Sequence, residues 1–440
     1  MAPPREQIMR LNSAEIEKAN QVHSAAHRRD VEVLSEQLAR RGLDPEKLIA
    51  KIGAFQVAVP SWALGTGGTR FGRFPIGGEP GSLDQKIEDA GLLRALSRQT
   101  ASISLHIPWD IPRDAKATRE LAAGLGLKFD AVNSNTFQDA KNHSNMPRGL
   151  SYKFGSLCHS DAQVRRQAVE HNLEVVRYGV ELGSEAITVW LADGTNYPGQ
   201  ANFRRQFERV RDSLKEIYKA LPPHWAMFTE HKPYEPNFYS SVVSDWGSSL
   251  LLARATGERC RCLVDLGHHL PNTNIEQIVS RLLMEGRLAG FHFNDSKYSD
   301  DDLTTGCIKS YQLFLIFVEL VEFLEGGSIK NPPLAWMIDA SHNTKDPLED
   351  LVQSLEAIAL AYGQALLLPR RELEEAQDHN DPAWAQEILQ NAYRTDVRPL
   401  LAEARLRQGG AIYPVEAYRR LGVRERLVKE RGSGTVATGL

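Results

Sequence analysis

Eight short apolar runs, each followed by a longer amphipathic stretch, constrain this 440-residue chain more than any other feature. The runs are QVAVPSW (56–62), SISLHIP (102–108), KFDAVNSN (128–135), EAITVWLAD (185–193), WAMFTEHK (225–232), CLVDLGHH (262–269), LAGFHFND (288–295) and LAWMIDAS (334–341). Their length and their Val, Ile, Phe and Trp content suit buried strands. Between them apolar residues recur at helical spacing: Val169, Leu173, Val176 and Val180 in one segment, Leu348, Leu351, Leu355 and Ile358 in another. Glycine or proline stands at several helix stops (Gly183, Pro222, Gly257, Gly326). Strands alternating with helices predict a parallel sheet with right-handed crossovers, and eight strands close a barrel. The expected fold is α/β: a (β/α)₈ TIM barrel over 53–370, preceded by N-terminal helices (1–52). Residues 371–440, which open RELEEAQDHNDPAWAQEILQNAY, add a helical C-terminal extension with a flexible tail.

Ionisable side chains gather at one end of these runs. Glu230 and Lys232 end the fifth, Asp265 and His268 the sixth, and His292 and Asn294 the seventh, which leads into SKYSDDD with Asp300, Asp301 and Asp302. Asp339 and Ser341 end the eighth, and His106 ends the second. A parallel barrel carries all its carboxyl ends on one face, so these groups converge about one axis. Residues two apart on a strand share a face, which pairs Glu230 with Lys232 and Asp339 with Ser341. Asp265 and His268 differ in parity, but Gly267 between them can turn the backbone. Asp295 falls on the other face from His292 and reads as a helix or loop cap.

Taken singly, each of these acids reads as a solvated loop residue or an N-cap. Four consecutive strands all ending in ligand-type residues read otherwise. The carboxylates of Glu230, Asp265, Asp300, Asp302 and Asp339 cannot ionise together in one pocket without compensation. Two divalent cations and the Lys232 ammonium would balance them. Ligands that are mostly carboxylate, with one or two imidazoles, suit Mn²⁺, Mg²⁺ or Co²⁺ better than a thiophilic metal.

Other features exclude functions. Cys260 and Cys262 read as two small residues on one strand face, and four irregularly spaced cysteines give no disulfide framework. The segment GTGGTRFGRFPIGG (65–78) lacks the G-x-G-x-x-G spacing of a dinucleotide site and reads as a flexible or intersubunit loop. A net charge of −4 gives no basic footprint for nucleic acid or an anionic membrane. The N-terminal stretch lacks the apolar core of a signal peptide and no window approaches a membrane span, so the expected location is cytoplasmic.

The strand-end motifs TEHKPYEP (229–236), LVDLGHHLPNTNIE (263–276), GFHFNDSKYSDDDL (290–303) and MIDASHN (337–343) resemble L-rhamnose isomerase of the bacterial type. So do FQVAVPSWALGTGGTRFGRFP (55–75), SLHIPWD (104–110) and AVEHNLE (168–174). The likeness runs from about residue 20 to about residue 420, apart from an extra stretch near 140–149. It implies an aldose–ketose isomerase of the xylose-isomerase-like barrel group, converting L-rhamnose to L-rhamnulose, acting on related sugars, and assembled as a homotetramer. It implies a structural metal at Glu230, Asp265, His292 and Asp339. A second, catalytic metal would sit at His268, Asp300 and Asp302, with Glu230 nearby. Mn²⁺ is the expected ion, with Co²⁺, Mg²⁺ or Zn²⁺ as alternatives. Trp62, His106, Trp190 and Lys232 would line the sugar site, and Phe71 would reach a neighbouring subunit's pocket. For Trp62 and Trp190 core packing is the rival reading.

The implied mechanism uses Lys232, His106, Ser341 and Asp302 beside the metals. The two ions would hold O2 and O3, Lys232 would add positive charge, and a metal-bound water placed by Ser341 would carry the proton between O1 and O2. Hydrogen at carbon would travel as a hydride, the preferred route, or through an enediol. Three rivals stand beside this reading. A ketose 3-epimerase needs two acids facing each other across C3. An abasic-site endonuclease wants more histidine ligands and a basic groove. A non-catalytic sugar-binding relative needs neither.

Overall fold

Parallel pairing runs through eight strands in chain order and returns to its start. They are β1 (Val59–Pro60), β2 (Ser102–Ile107), β3 (Lys128–Ser134), β4 (Ala186–Trp190), β5 (Ala226–Glu230), β6 (Cys260–Asp265), β7 (Leu288–Phe293) and β8 (Ala335–Ile338). The Ala58 N–H donates to the Trp336 carbonyl at 2.7 Å, and the Ile338 N–H donates to the Ala58 carbonyl at 3.0 Å. These two bonds join the last strand to the first, giving the expected (β/α)₈ barrel. The computed structural model describes residues 11–65, 74–139, 150–234, 240–298, 300–326, 330–340 and 344–434.

Each of the eight apolar runs contains a strand. The first is shorter than its composition predicts: Pro60 has no N–H to extend the ladder, and Ser61–Ala63 turn at once into a 3₁₀ helix. Outside the barrel run α4 (Leu83–Ser97), α5 (Ala115–Gly124), α6 (Ala162–Leu182), α7 (Phe203–Ala220), α8 (Trp246–Thr256), α9 (Ile275–Met284), α10 (Ser310–Gly326) and α11 (Pro347–Ala365). Side chains of Ser82, Asp114, Asp161, Asn202, Asp245 and Asn274 accept from first-turn N–H groups of α4 to α9, which fixes where each loop ends.

The α11 stripe of Leu348, Leu351, Leu355 and Ile358 is buried as expected. The α6 stripe holds in part: Val169 and Val176 are buried and Leu173 packs half-buried against the core, but Val180 is 47% exposed. The buried line is Ala168, Asn172, Val175, Gly179 and Leu182, in which a polar and a small residue hide the apolar period. Gly179 is required there: a Cβ would lie 2.4 Å from the Trp225 ring. Inside the barrel Ala58, Ala131, Ala226, Phe228, Leu263 and Met337 pack together, and Phe228 shares a strand face with Glu230.

Three N-terminal helices (α1 Ser13–Gln21, α2 Ser24–Arg40, α3 Pro45–Ala54) pack with two C-terminal helices, Arg398–Arg407 and Pro414–Arg420. Asn20 binds the Gly410 carbonyl at 3.0 Å and the Ile412 N–H at 2.9 Å, tying the two ends together. No single helix among the described residues is long and apolar enough to cross a membrane.

Candidate metal centre and its pocket

Strand register assembles the acidic cluster. Glu230 stands beside Trp190 across β4 and β5, and Asp265 beside His292 across β6 and β7. With Asp339 just past β8, Glu230, Asp265 and His292 offer ligand atoms that all lie within 4.8 Å of one another. His292 Nδ1 is 3.0 Å from Glu230 Oε1, 3.5 Å from Asp339 Oδ2 and 3.8 Å from Asp265 Oδ2. Asp265 Oδ1 accepts from the Gly267 N–H at 2.7 Å and from Asn294 Nδ2 at 2.9 Å. Its Oδ2 has no hydrogen-bond donor among the described residues. Asp339 Oδ1 accepts from the Trp62 indole at 2.8 Å.

The electrostatics leave a place that a cation could fill. Burial, with Glu230 adding to it, pushes the Asp265 carboxyl well above the ordinary range. Burial opposes the charge on Glu230 too, yet the His292 and His268 rings hold its carboxyl well below the usual value. Burial also disfavours imidazolium at His292, but Glu230, Asp339 and Asp265 outweigh it and hold the ring up at about 10. The protein by itself therefore favours a proton on His292 and disfavours the charge on Asp265, which offsets the crowded carboxylates. Three carboxylates and one imidazole form a donor set that a divalent cation fits, displacing protons.

A second group adjoins the first through one atom. Glu230 Oε1, already 3.0 Å from His292 Nδ1, is 3.1 Å from His268 Nδ1, and His268 Nε2 is 2.9 Å from Asp300 Oδ1. The buried Lys232 ammonium pairs with Asp300 Oδ2 and sits 5.2 Å from the Trp190 ring centroid. Asp300 and Asp302 hold left-handed backbone (φ 51° and 48°), an uncommon state for Asp that places two buried carboxylates on one short loop. The Asp300 N–H donates to the Gly267 carbonyl at 2.8 Å. A Cβ at Gly267 would stand 3.1–3.3 Å from Asn294, Asp265 and Asp300, so glycine lets the loop close onto the turn. This turn after Asp265 brings His268 round despite its parity.

Aromatic rings wall the other side. His106 stacks on Trp109 at 4.3 Å and meets the edges of Trp62 and Phe137 at 5.7 Å each. Phe137 lies 4.8 Å from Trp190. Burial lowers the His106 pKa to about 3, so the ring is neutral. Trp109 and Phe137 escaped the sequence reading. Trp109 follows β2 within SLHIPWD and was legible by position, whereas Phe137 lies in a loop with no such signal.

Several readings resolve here. Asp295 is a cap: its Oδ2 accepts from the Ile308 and Lys309 N–H groups at 2.7 and 2.9 Å, just before α10. Asp301 likewise caps its loop through the Lys297 and Tyr298 N–H groups. Cys260 and Cys262 are buried core thiols, and burial pushes Cys262 up to about 11. Phe71 and Ser341 lie outside the described residues, as does the stretch 140–149.

Comparison with known proteins follows this geometry. No family model matches the chain. Over 421 residues it is 52% identical to a probable sugar isomerase of Rhizobium meliloti (strain 1021), covering 96% of each chain. Over 429 residues it is 53% identical to a probable sugar isomerase of Mesorhizobium japonicum, covering 98% of each. Among solved structures, L-ribulose 3-epimerase superposes with a TM-score of 0.52, covering 74% of this chain and 100% of that one. At 14% identity that likeness shows the fold alone.

Proposed function

We propose, given that the chain belongs to the family of these probable sugar isomerases, that it is a divalent-metal-dependent aldose–ketose isomerase. Its substrates would be L-rhamnose, L-rhamnulose and stereochemically related sugars. One observation carries the reading. Glu230 Oε1 lies 3.0 Å from His292 and 3.1 Å from His268, so a single carboxylate oxygen links two adjoining ligand groups. Glu230, Asp265, His292 and Asp339 would hold one cation; His268, Asp300 and Asp302, with Glu230, a second. Mn²⁺ suits these oxygen-rich sets, with Co²⁺, Mg²⁺ or Zn²⁺ as alternatives. When bound, the cations supply Lewis acidity toward a carbonyl and its neighbouring hydroxyl.

The chain's own groups do the rest. Lys232, held as ammonium against Asp300, adds positive charge where an oxyanion develops. The rings of Trp62, Trp109, Phe137 and Trp190 exclude water and offer apolar faces to the sugar's C–H groups. His106, neutral and with no hydrogen-bond partner at Nδ1 among the described residues, binds a sugar hydroxyl. Ser341 places the water that moves the proton between O1 and O2, and Phe71 completes a neighbour's pocket in a homotetramer. Hydrogen at carbon passes from C2 to C1 as a hydride, since pairing with Asp300 favours the ammonium form of Lys232 and His106 is too weak a base.

The test is incubation of the purified protein and Mn²⁺ with L-rhamnose, L-mannose, D-allose and L-lyxose, followed by product analysis. Ketose formation is expected. In a parallel incubation with L-rhamnulose, epimerisation at C3 with no aldose formed would overturn the proposal.

A further inference from the structure

We propose that Asp110 is the positioning residue that sets Trp62 and His106 edge to face in one wall of the pocket, and that buried Lys86 keeps its carboxylate in place. This rests on the functional reading for what the wall binds, and on geometry alone for the positioning. Asp110 is fully buried and Lys86 is 2% exposed. Asp110 Oδ2 accepts both the Ser61 hydroxyl at 2.5 Å and the His106 N–H at 2.9 Å, while Oδ1 accepts from the Lys86 ammonium at 2.7 Å. The Asp110 N–H also donates to the His106 carbonyl at 2.9 Å, closing the turn after β2. One oxygen thus joins the turn that carries Trp62 to the strand end that carries His106, and the two rings meet edge to face at 5.7 Å.

A stability role alone does not account for the pair. Burying a lysine and an aspartate costs desolvation that their attraction only about repays, and apolar replacements of similar volume are often neutral or better. What an apolar pair cannot supply is the shared acceptor. The division of labour between the two oxygens makes this separable from charge. Asn at 110 with Gln at 86 removes both charges and keeps an acceptor oxygen for Ser61 and His106. Leu at 110 with Met at 86 removes both charges and the acceptor.

The experiment compares Lys86→Gln/Asp110→Asn with Lys86→Met/Asp110→Leu. Crystal structures should retain the Trp62–Asp339 hydrogen bond near its 2.8 Å in the first and lose it in the second. KM for the sugar should stay within about twofold of wild type in the first and rise about tenfold in the second with kcat nearly unchanged, the size expected for losing two hydrogen bonds. Should the apolar variant fail to fold, Ser61→Ala removes one of the two donors from the acceptor and should raise KM by a smaller factor. An unmoved Trp62 in the apolar variant, or in Ser61→Ala an unmoved Trp62 together with an unchanged KM, overturns the inference. So does equal KM loss in both double variants, which would assign the effect to charge. A wild type that converts no sugar defeats the functional reading instead, and the crystallographic arm still judges the positioning.

Discussion

The indole N–H of Trp62 donates to Asp339 Oδ1 at 2.8 Å, so a residue just past β1 orients a carboxylate just past β8. Asp339 is the least buried member of its cluster, with 21% of its side chain exposed. An exposed ligand has more orientations to lose, and a donor fixed in the opposite wall removes them. Trp62→Phe keeps the ring and deletes the donor. It should weaken Mn²⁺ binding by about tenfold, read by chelator competition. Unchanged affinity would reduce Trp62 to a wall of the pocket.

Glu230 holds the position that no substitute can fill. Its Oε1 faces His292 and His268 together, and an amide brings no charge to either. Glu230→Gln should bind Mn²⁺ about a hundredfold or more weakly and lose nearly all isomerase activity. A variant that binds metal normally would show the two ligand groups to be independent.

Metal removal should act on stability and activity together, because the cation binds the folded chain and not the unfolded one. Dialysis against a chelator is expected to abolish conversion and lower the melting temperature, and Mn²⁺ or Co²⁺ should restore both. Full activity in a verified metal-free sample would contradict the central proposal.

The pH dependence of that effect has a definite sign. His292 is raised to about 10 in the folded metal-free protein, above its ordinary 6.5. A raised folded value contributes stability that is complete below about 6.5 and is lost as pH climbs toward 10. Asp265, also raised, acts in the same direction. The metal must displace these protons, so its affinity should increase with pH over this window. Melting curves with and without Mn²⁺ should therefore diverge from pH 6.5 upward. Parallel curves would mean that no proton is exchanged for the metal.

The acidic cluster is legible because it needs only strand parity and chain direction: Glu230, Asp265, His292 and Asp339 lie at consecutive strand ends, where a parallel barrel must bring them together. His268 required one further clue, the glycine before it. The Asp110 joint was not legible. Lys86 lies within α4, 24 residues before Asp110, and its burial depends on how that helix rotates against β2. The α6 stripe is legible only in part for a similar reason, since Asn172 and Gly179 face the core beside Val169 and Val176 and carry no apolar signal. Contacts set by packing between elements leave no local pattern to read.

The proposed hydride route turns on the bases that the site offers. An enediol needs a group that removes a proton from C2 and returns it to C1. Lys232 is paired with Asp300 inside the protein, a contact that favours its ammonium form. His106 is neutral but, with a pKa lowered to about 3 by burial, it accepts a proton poorly. Glu230, Asp265 and Asp339 cluster about His292 and Asp300 pairs with His268, and in the proposed enzyme cation binding would lower the basicity of these carboxylates and of Asp302. A hydride passing from C2 to C1 asks for none of these groups, only for polarisation of the acceptor carbonyl. Isomerisation run in D₂O should accordingly leave the ketose C1 protons almost free of deuterium by NMR after a single conversion. Substantial deuterium at C1 would establish the enediol and require a base among the described carboxylates or beyond them.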